Sequence, residues 1–169
     1  MSAVATKGKW AQGIKPRNFH WVMTDQLAVC ERPGGYGTNH RRVRRQEEII
    51  WIREQGFGCV VSVIGSRQNL HNYDDLGVIW RHRPFVAAEE SAGYLGALYP
   101  ELKTLLSEGT KVLVHGEELG DRLCGTVAGY LLWDGLVDTG PRAISVIEQI
   151  TQRQLGPTGR ELVSIAARS

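Results

Sequence analysis

The fold of this chain is decided by residues 112–132, which read VLVHGEELGDRLCGTVAGYLL. The segment starts with a short apolar run, passes through a polar loop that contains glycine, and ends in small and apolar residues. That order predicts a buried strand, a loop and a buried helix. Because the first backbone N–H groups of a helix have no partner within it, a loop of this kind can hold an anion.

The 169 residues suffice for one domain with a sizeable core, and the net charge of +2 gives no general signal for nucleic-acid binding. No apolar stretch reaches the ~20 residues needed to cross a bilayer. The three cysteines, Cys30, Cys59 and Cys124, lack the spacing of metal ligands or redox pairs. Such cysteines favour a reducing compartment, so we expect a cytoplasmic protein without a metal or cofactor.

The first residues of the chain differ in character from the rest. Residues 1–17 carry four basic side chains and no apolar run of the signal-peptide type. We interpret them as a flexible N-terminal tail, and residues 18–169 as a single domain. No internal repeat or linker in the sequence divides that domain further.

Strand and helix patterns alternate along the chain. In the first half they predict a hairpin of residues 19–23 and 26–30, a helix from 38 or 39 to about 55, a strand over 59–64, a turn region over 65–75 and a strand over 77–80. In the second half they predict a helix over 91–108, the strand 111–115, a helix that starts near Cys124, a helix opened by Pro141 and a short C-terminal helix.

The strand that ends at His115, the loop that closes on Arg122 and the helix that follows resemble the phosphate-binding loop of the protein tyrosine and dual-specificity phosphatases. In that family the loop reads His-Cys, five residues, Arg, Ser or Thr, and Gly. The Cys thiolate attacks phosphorus, and the Arg and the loop amides hold the phosphate oxygens. The resemblance extends from about Phe19 onward. It implies an α/β, three-layer fold with a central, mostly parallel sheet of about four to five strands flanked by helices.

The loop departs from the family pattern at several positions. Gly116 stands at the nucleophile position, Leu119 stands at the central glycine, and Leu123 replaces the hydroxyl residue after the Arg. Gly125 with Thr126 comes one residue late. The degenerate phosphate loop consists of His115, Gly116, Glu117, Glu118, Leu119, Gly120, Asp121 and Arg122. By analogy with the family, His115 is expected to form a hydrogen bond within the loop.

The loop is also acidic. Glu117, Glu118 and Asp121 surround the position that a phosphate would occupy, and Arg122 alone opposes them. Each like charge within a few ångströms costs about 1 kcal/mol or more near a protein surface, so we expect the loop to reject phosphate. Cys124 could be considered as a substitute nucleophile at a helix start, but we interpret it as a small, half-buried helix residue.

The general acid of the family, an Asp, also has no counterpart. Ala87 or Ala88 occupies its position in the matching segment. Glu89 and Glu90 follow and could act as substitutes. Acidic residues also favour the first turn of a helix, and we prefer that interpretation because a helix is predicted from residue 91.

These departures lead to a functional hypothesis. Since both catalytic positions are lost, we expect an inactive phosphatase-like domain that acts as a binding or regulatory module for a protein partner, which could be acidic or phosphorylated. The alternative is a phosphoric-ester hydrolase with a non-standard loop, either protein phosphatase-like or assisted by a metal-bound water on Glu117, Glu118, Asp121 or His115.

A basic stretch in the first predicted helix carries Arg41, Arg42, Arg44 and Arg45. Such a run is usually a solvated helix face. It could equally form a docking patch for an acidic protein or, with weaker support, for nucleic acid. No part of the sequence indicates contact with a membrane.

Overall fold

The computed structural model describes residues 13–35, 42–67 and 69–169. The strands are β1 (His20–Met23), β2 (Leu27–Glu31), β3 (Cys59–Ser62), β4 (Trp80–His82) and β5 (Val112–Gly116). The helices are α1 (Arg42–Glu54), α2 (His71–Asp75), α3 (Ser91–Ser107), α4 (Asp121–Trp133), α5 (Gly140–Thr151) and α6 (Pro157–Ala167). A short 3-10 turn, Ala88–Glu90, leads into α3.

The strands form one five-stranded sheet in the order β1-β2-β5-β3-β4. The edge strand β1 pairs with β2 in an antiparallel hairpin, and β2, β5, β3 and β4 run parallel. The predicted α/β fold with a mostly parallel central sheet is therefore confirmed. Because β5 lies at the centre and is buried along its whole length, its carboxyl end is fixed by neighbours on both sides.

Side chains alternate between the two faces of the sheet, and each face packs on its own helices. On β5, Val112 and Val114 join a core that includes residues of α3, α4, α5 and α6. Leu113 joins the other core, which includes Ile49 and Ile52 of α1 and Tyr73 of α2. The layers are thus helix, sheet and helix. Successive residues at the end of β5 consequently face different layers.

Small residues bring α4 very close to α6. An ideal Cβ placed on Gly125 would lie 2.5 Å from Cα of Gly159. One turn later, a Cβ on Gly129 would lie 3.1 Å from Cβ of Ala166 and 2.4 Å from the hydroxyl of Tyr99. The helix that follows the loop can therefore occupy its position only if these sites remain small.

The structure differs from the predicted elements in three places. Part of the predicted turn region 65–75 forms α2, which has only five residues and so leaves little periodic pattern in the sequence. The strand expected over 77–80 is β4, displaced to Trp80–His82. The predicted helix start at residue 38 or 39 lies outside the described residues.

The last five residues of the predicted tail, 13–17, contact the folded domain. The Ile14 N–H donates to the Glu47 carbonyl, and the Glu31 N–H donates to the Arg17 carbonyl. Pro16 is buried. Residues 13–17 therefore belong to the folded domain, and residues 1–12 lie outside the described part. Across the described residues, every helix is too short or too polar to serve as a membrane span.

The contact between α4 and α6 yields a test of the fold. Gly125→Ala should destabilise the domain by about 1 to 3 kcal/mol, because the new methyl group would collide with the backbone of Gly159. The matched control is Gly96→Ala in α3, where a Cβ would meet no atom within 4 Å. That change should increase stability by about 0.5 to 1 kcal/mol, since alanine loses less backbone entropy in a helix. Urea unfolding of both variants measures the difference, and equal effects would contradict the close contact.

Candidate functional site

The degenerate phosphate loop lies at the carboxyl end of the central strand. β5 ends at the buried Gly116, residues 117–120 form the loop, and α4 begins at Asp121. The loop borders an open cavity of about 310 Å³, together with residues 63–65 and Phe85. Ligand sites in parallel sheets form at the carboxyl ends of the strands, and this cavity is in that position.

Gly116 borders this cavity with its backbone, because glycine has no side chain. A Cβ built on it would lie 3.3 Å from the Glu118 carbonyl oxygen, 3.6 Å from the Leu123 side chain and 3.8 Å from the Val63 side chain. Its φ does not fall in the left-handed region that favours glycine. A small side chain at this position would therefore need only a slight adjustment of the loop.

Arg122 lies at the start of α4 and contacts the segment before the 3-10 turn. Its Nη1 donates to the Phe85 carbonyl oxygen at 2.8 Å. Its guanidinium also lies 5.0 Å from the centre of the Phe85 ring, which stacks on Tyr94. The arginine expected to clamp a phosphate is thus held by a neighbouring loop, through a hydrogen bond and a cation–π contact.

Asp121 has a structural role that the sequence analysis missed. Its carboxylate accepts hydrogen bonds from the N–H groups of Gly156, at 2.7 Å, and Gly159, at 2.9 Å. These are the unpaired amides at the start of α6, where the helix dipole favours a negative charge. Asp121 borders the cavity as expected, and two N–H groups at the start of α6 also bind its carboxylate.

Two of the remaining loop residues lie at the rim of the cavity, and a third holds the loop in the core. Glu117, which is half-exposed, pairs with Arg32 at 3.0 Å, and Glu118 is exposed. Leu119 buries its side chain in the core, and its carbonyl oxygen accepts a hydrogen bond from Arg153. The loop therefore contacts the residue that follows β2 on one side and the segment before α6 on the other. Two acidic side chains remain at the rim of the cavity.

His115 faces the opposite side of the sheet from Gly116. Its Nε2 lies 3.2 Å from the hydroxyl of Tyr73 in α2. The Gly116 backbone is also a hydrogen-bond partner of the ring, in line with the bond expected within the loop. Tyr73 is a second partner, which the sequence pattern did not single out. Burial lowers the pKa of His115 to about 4, with a smaller opposing effect of the Gly116 backbone. The imidazole is consequently neutral at pH 7.

The residues proposed as metal ligands do not converge. His115 points to the α1 and α2 side, Glu117 binds Arg32, and Asp121 caps α6. The described residues contain no group of three His, Cys, Asp or Glu side chains suited to a metal ion. The metal-assisted alternative therefore lacks a set of ligands in the part of the chain that the structure describes.

The segment at the general-acid position behaves as a helix start. Ala87 precedes the 3-10 turn, and the Ala88 carbonyl accepts a hydrogen bond from the Ser91 hydroxyl at 2.6 Å. Glu89 and Glu90 lie in this turn, are exposed and do not border the cavity. Their placement agrees with the interpretation that they favour the first turn of a helix.

Cys124, which was considered as a substitute nucleophile, is a buried core residue. The residue is 1% exposed, more buried than the half-buried position expected from the sequence, and it packs in the core between sheet and helices. Burial raises the pKa of its thiol to about 11. Since the thiolate is the reactive form of cysteine, this side chain is inert at neutral pH.

Two arginines of the predicted basic docking patch form contacts within the domain. Arg45 is buried and its Nε donates to the Asn72 side chain at 2.7 Å, which corrects the expectation that it is exposed. Arg44 pairs with the fully buried Glu48 one turn later. Arg42 is exposed, and Arg41 lies outside the described residues.

The cap formed by Asp121 can be tested by stability. Asp121→Asn should destabilise the domain by about 1 kcal/mol, because an amide accepts through a single oxygen and carries no charge for the start of α6. Asp138→Asn, at an exposed site, is the matched control. Chemical unfolding of both variants compares the two effects. If Asp121→Asn were as stable as the control variant, the hydrogen bonds to Gly156 and Gly159 would not support the fold.

The buried His115 predicts a pH dependence. Its pKa is about 4 in the folded protein, against 6.5 as the ordinary value, so below pH 6.5 the unfolded chain binds a proton that the folded protein does not. Its contribution to stability is complete above pH 6.5 and is lost as the pH falls to 4, by on the order of 3 kcal/mol. His115→Asn should remove this component, so the stability curves of the two proteins converge at low pH. His71→Asn, on the exposed part of α2, is the control, and parallel curves for wild type and His115→Asn would contradict the prediction.

Comparison with known proteins shows likeness at the level of structure. No family model and no curated protein matches the sequence. Kinase associated phosphatase, solved with serine in place of its catalytic-site cysteine, has a TM-score of 0.74 and 20% identity, covering 88% of this chain and 93% of that one.

Two further structures agree with this result. The active form of Tk-PTP has a TM-score of 0.69 and 14% identity, covering 89% of this chain and 97% of its own. Human DUSP28 has a TM-score of 0.65 and 15% identity, covering 92% and 96%. The chain therefore has the fold of the protein tyrosine and dual-specificity phosphatases.

Proposed function

We propose that this domain is a catalytically inactive, phosphatase-fold binding or regulatory module for a protein partner. The observation that carries the proposal is Gly116, which ends the central strand at the position of the family nucleophile and presents only backbone to the cavity. Without a nucleophile, the thiol chemistry of this fold cannot begin.

The cysteines of the chain, none of which lines the described part of the cavity, and the hydroxyl at the cavity support the absence of thiol chemistry. Burial raises the pKa of Cys30, of Cys59 and of Cys124. The Thr126 hydroxyl, which borders the cavity, donates to the Arg122 carbonyl at 2.8 Å. Within the described residues, the lining of the cavity thus contains no thiol, and Glu89 and Glu90 beside the family's general-acid position do not border it.

The character of the cavity favours a protein over a free phosphate ester. Its cation, Arg122, already donates to Phe85, and the carboxylates of Glu117 and Glu118 lie at the rim. A dianion would meet these two charges, whereas a polypeptide segment can pair with both the rim and the exposed backbone of the loop. We place this module in the cytoplasm, because three buried thiols without disulfides are typical of a reducing compartment.

The alternatives receive less support. A phosphoric-ester hydrolase would need either an activated nucleophile or a metal site, and the residues suggested for both have other structural partners. A nucleic-acid surface on α1 would need exposed arginines, but Arg45 is buried and Arg44 pairs with Glu48.

An activity assay tests the proposal. Purified wild-type protein should not hydrolyse an aryl phosphate, and Cys124→Ala should behave in the same way. Gly116→Cys alone should also fail to restore robust turnover. Glu117 and Glu118 would raise the pKa of an introduced thiol and repel the substrate, and no acid stands at the general-acid position.

The control for this assay is Gly116→Ala, which introduces a side chain of similar bulk at the Cβ position without a thiol. Both variants should fold, because only the Glu118 carbonyl oxygen comes closer than 3.4 Å to the built Cβ. Activity of the wild-type protein that persists in Cys124→Ala would refute the assignment of an inactive domain. Robust activity of Gly116→Cys would show that the loop is a competent phosphate cradle, and would identify a phosphorylated ligand as the partner.

A further inference from the structure

A tight turn follows β2 at the carboxyl edge of the sheet. It consists of residues 32–35, and Gly34 and Gly35 lie in the left-handed region, with φ of +88° and +80°. The Gly35 N–H donates to the Arg32 carbonyl at 3.0 Å, and Nε of Arg32 donates to the Gly35 carbonyl at 2.9 Å. The side chain of Arg32 is therefore part of the turn, and its position depends on the turn conformation.

Glu48 holds this turn from the middle of α1. The residue is 0% exposed, and one of its carboxylate oxygens accepts a hydrogen bond from the Gly34 N–H at 3.0 Å. The other oxygen accepts from Nε of Arg44, one turn earlier in α1. Burial raises the pKa of Glu48, while the hydrogen bonds of Gly34 and Arg44 oppose that rise. A buried carboxylate is costly unless it is paired and hydrogen-bonded, so its contact with the turn is a specific anchor.

Arg32 extends this contact to the degenerate phosphate loop. Its Nη1 donates to Oε1 of Glu117 at 3.0 Å, and the Arg32 side chain is 15% exposed against 49% for Glu117. Arg32 also borders a small cavity of about 20 Å³ on the α1 side of the sheet, which His115 borders as well. The contacts thus run from α1, through the turn, to the rim of the larger cavity beside Gly116.

This arrangement affects the charge at the rim of the larger cavity. Glu117 is one of the two rim carboxylates, and Arg32 is the cation that pairs with it. A partly exposed ion pair contributes little stability by itself, so it does not hold Arg32 in place without the turn. If the turn lost its anchor, Arg32 would turn away from the loop. A partner of the cavity would then meet one more uncompensated negative charge.

We propose that Glu48 is a positioning residue for the larger cavity, because it fixes the turn 32–35 and thereby holds Arg32 against Glu117. Glu48 belongs to α1, which packs on the opposite face of the sheet from α4. A residue remote from the cavity thus sets the charge at its rim. This role concerns contacts within the domain and does not depend on the proposed function.

Hydrogen exchange of the Arg32 Nε–H, followed by NMR, tests this role. The proton is protected in the wild-type protein because it donates to the Gly35 carbonyl. Glu48→Leu should speed its exchange by about tenfold or more, as expected when a hydrogen bond to a charged group is lost. Glu48→Gln keeps an oxygen that can accept from Gly34 and should retain most of the protection. Glu54→Leu, at an exposed position of α1, is the matched control and should change nothing.

The coupling must also act in the opposite direction. Glu117→Ala, at a half-exposed rim position, should fold and should speed amide exchange of Gly34 by about two- to fivefold, the range of a partly exposed ion pair. Glu89→Ala, at an exposed position outside these contacts, is the control.

The proposal is overturned if the Arg32 Nε–H stays protected in Glu48→Leu or if Glu48→Gln loses as much protection as Glu48→Leu. It is also overturned if Glu117→Ala leaves the exchange of Gly34 unchanged. Should Glu48→Leu not fold, the comparison of Glu117→Ala with its control decides alone.

Discussion

The carboxylate of Asp121 connects the start of α4 to the start of α6, and the rest of the site depends on this connection. Its two hydrogen bonds to Gly156 and Gly159 join the beginnings of two helices that are 35 or more residues apart in sequence. The close packing of Gly125 on Gly159 then fixes how deeply α4 lies against α6. Because α4 follows directly from the loop, this arrangement sets the loop geometry without any bound ligand.

The loop positions that face phosphate in the related fold are held here by protein contacts. Arg122 donates to Phe85, Glu117 pairs with Arg32, and the Leu119 carbonyl accepts from Arg153. Each contact stabilises the folded chain whether or not a phosphate ester is present. The stability of the loop therefore does not depend on a side chain at Gly116, since these contacts involve other atoms of the same loop.

The alternation of side chains along β5 separates two cavities at one edge of the sheet. Gly116 borders the larger cavity near α4, whereas His115 borders the smaller cavity near α1 and α2. A change of one residue along an extended strand reverses the face, so two adjacent residues of the family motif serve different cavities. Arg32 borders the smaller cavity, and its ion pair with Glu117 links it to the loop of the larger one.

The sequence alone determined the strand, loop and helix around residues 112–132, the α/β class and the glycine at the end of the central strand, because apolar periodicity and side-chain identity are local properties. It also placed Glu89 and Glu90 at a helix start. It could not determine the partners of Asp121, Arg122 and His115, which lie 35 to 42 residues away in the chain. Nor could it show that Arg45 is buried. Hydrogen bonds of this kind form only after packing has brought distant segments together, so the tertiary structure decided which polar residues face a cavity and which stabilise the fold.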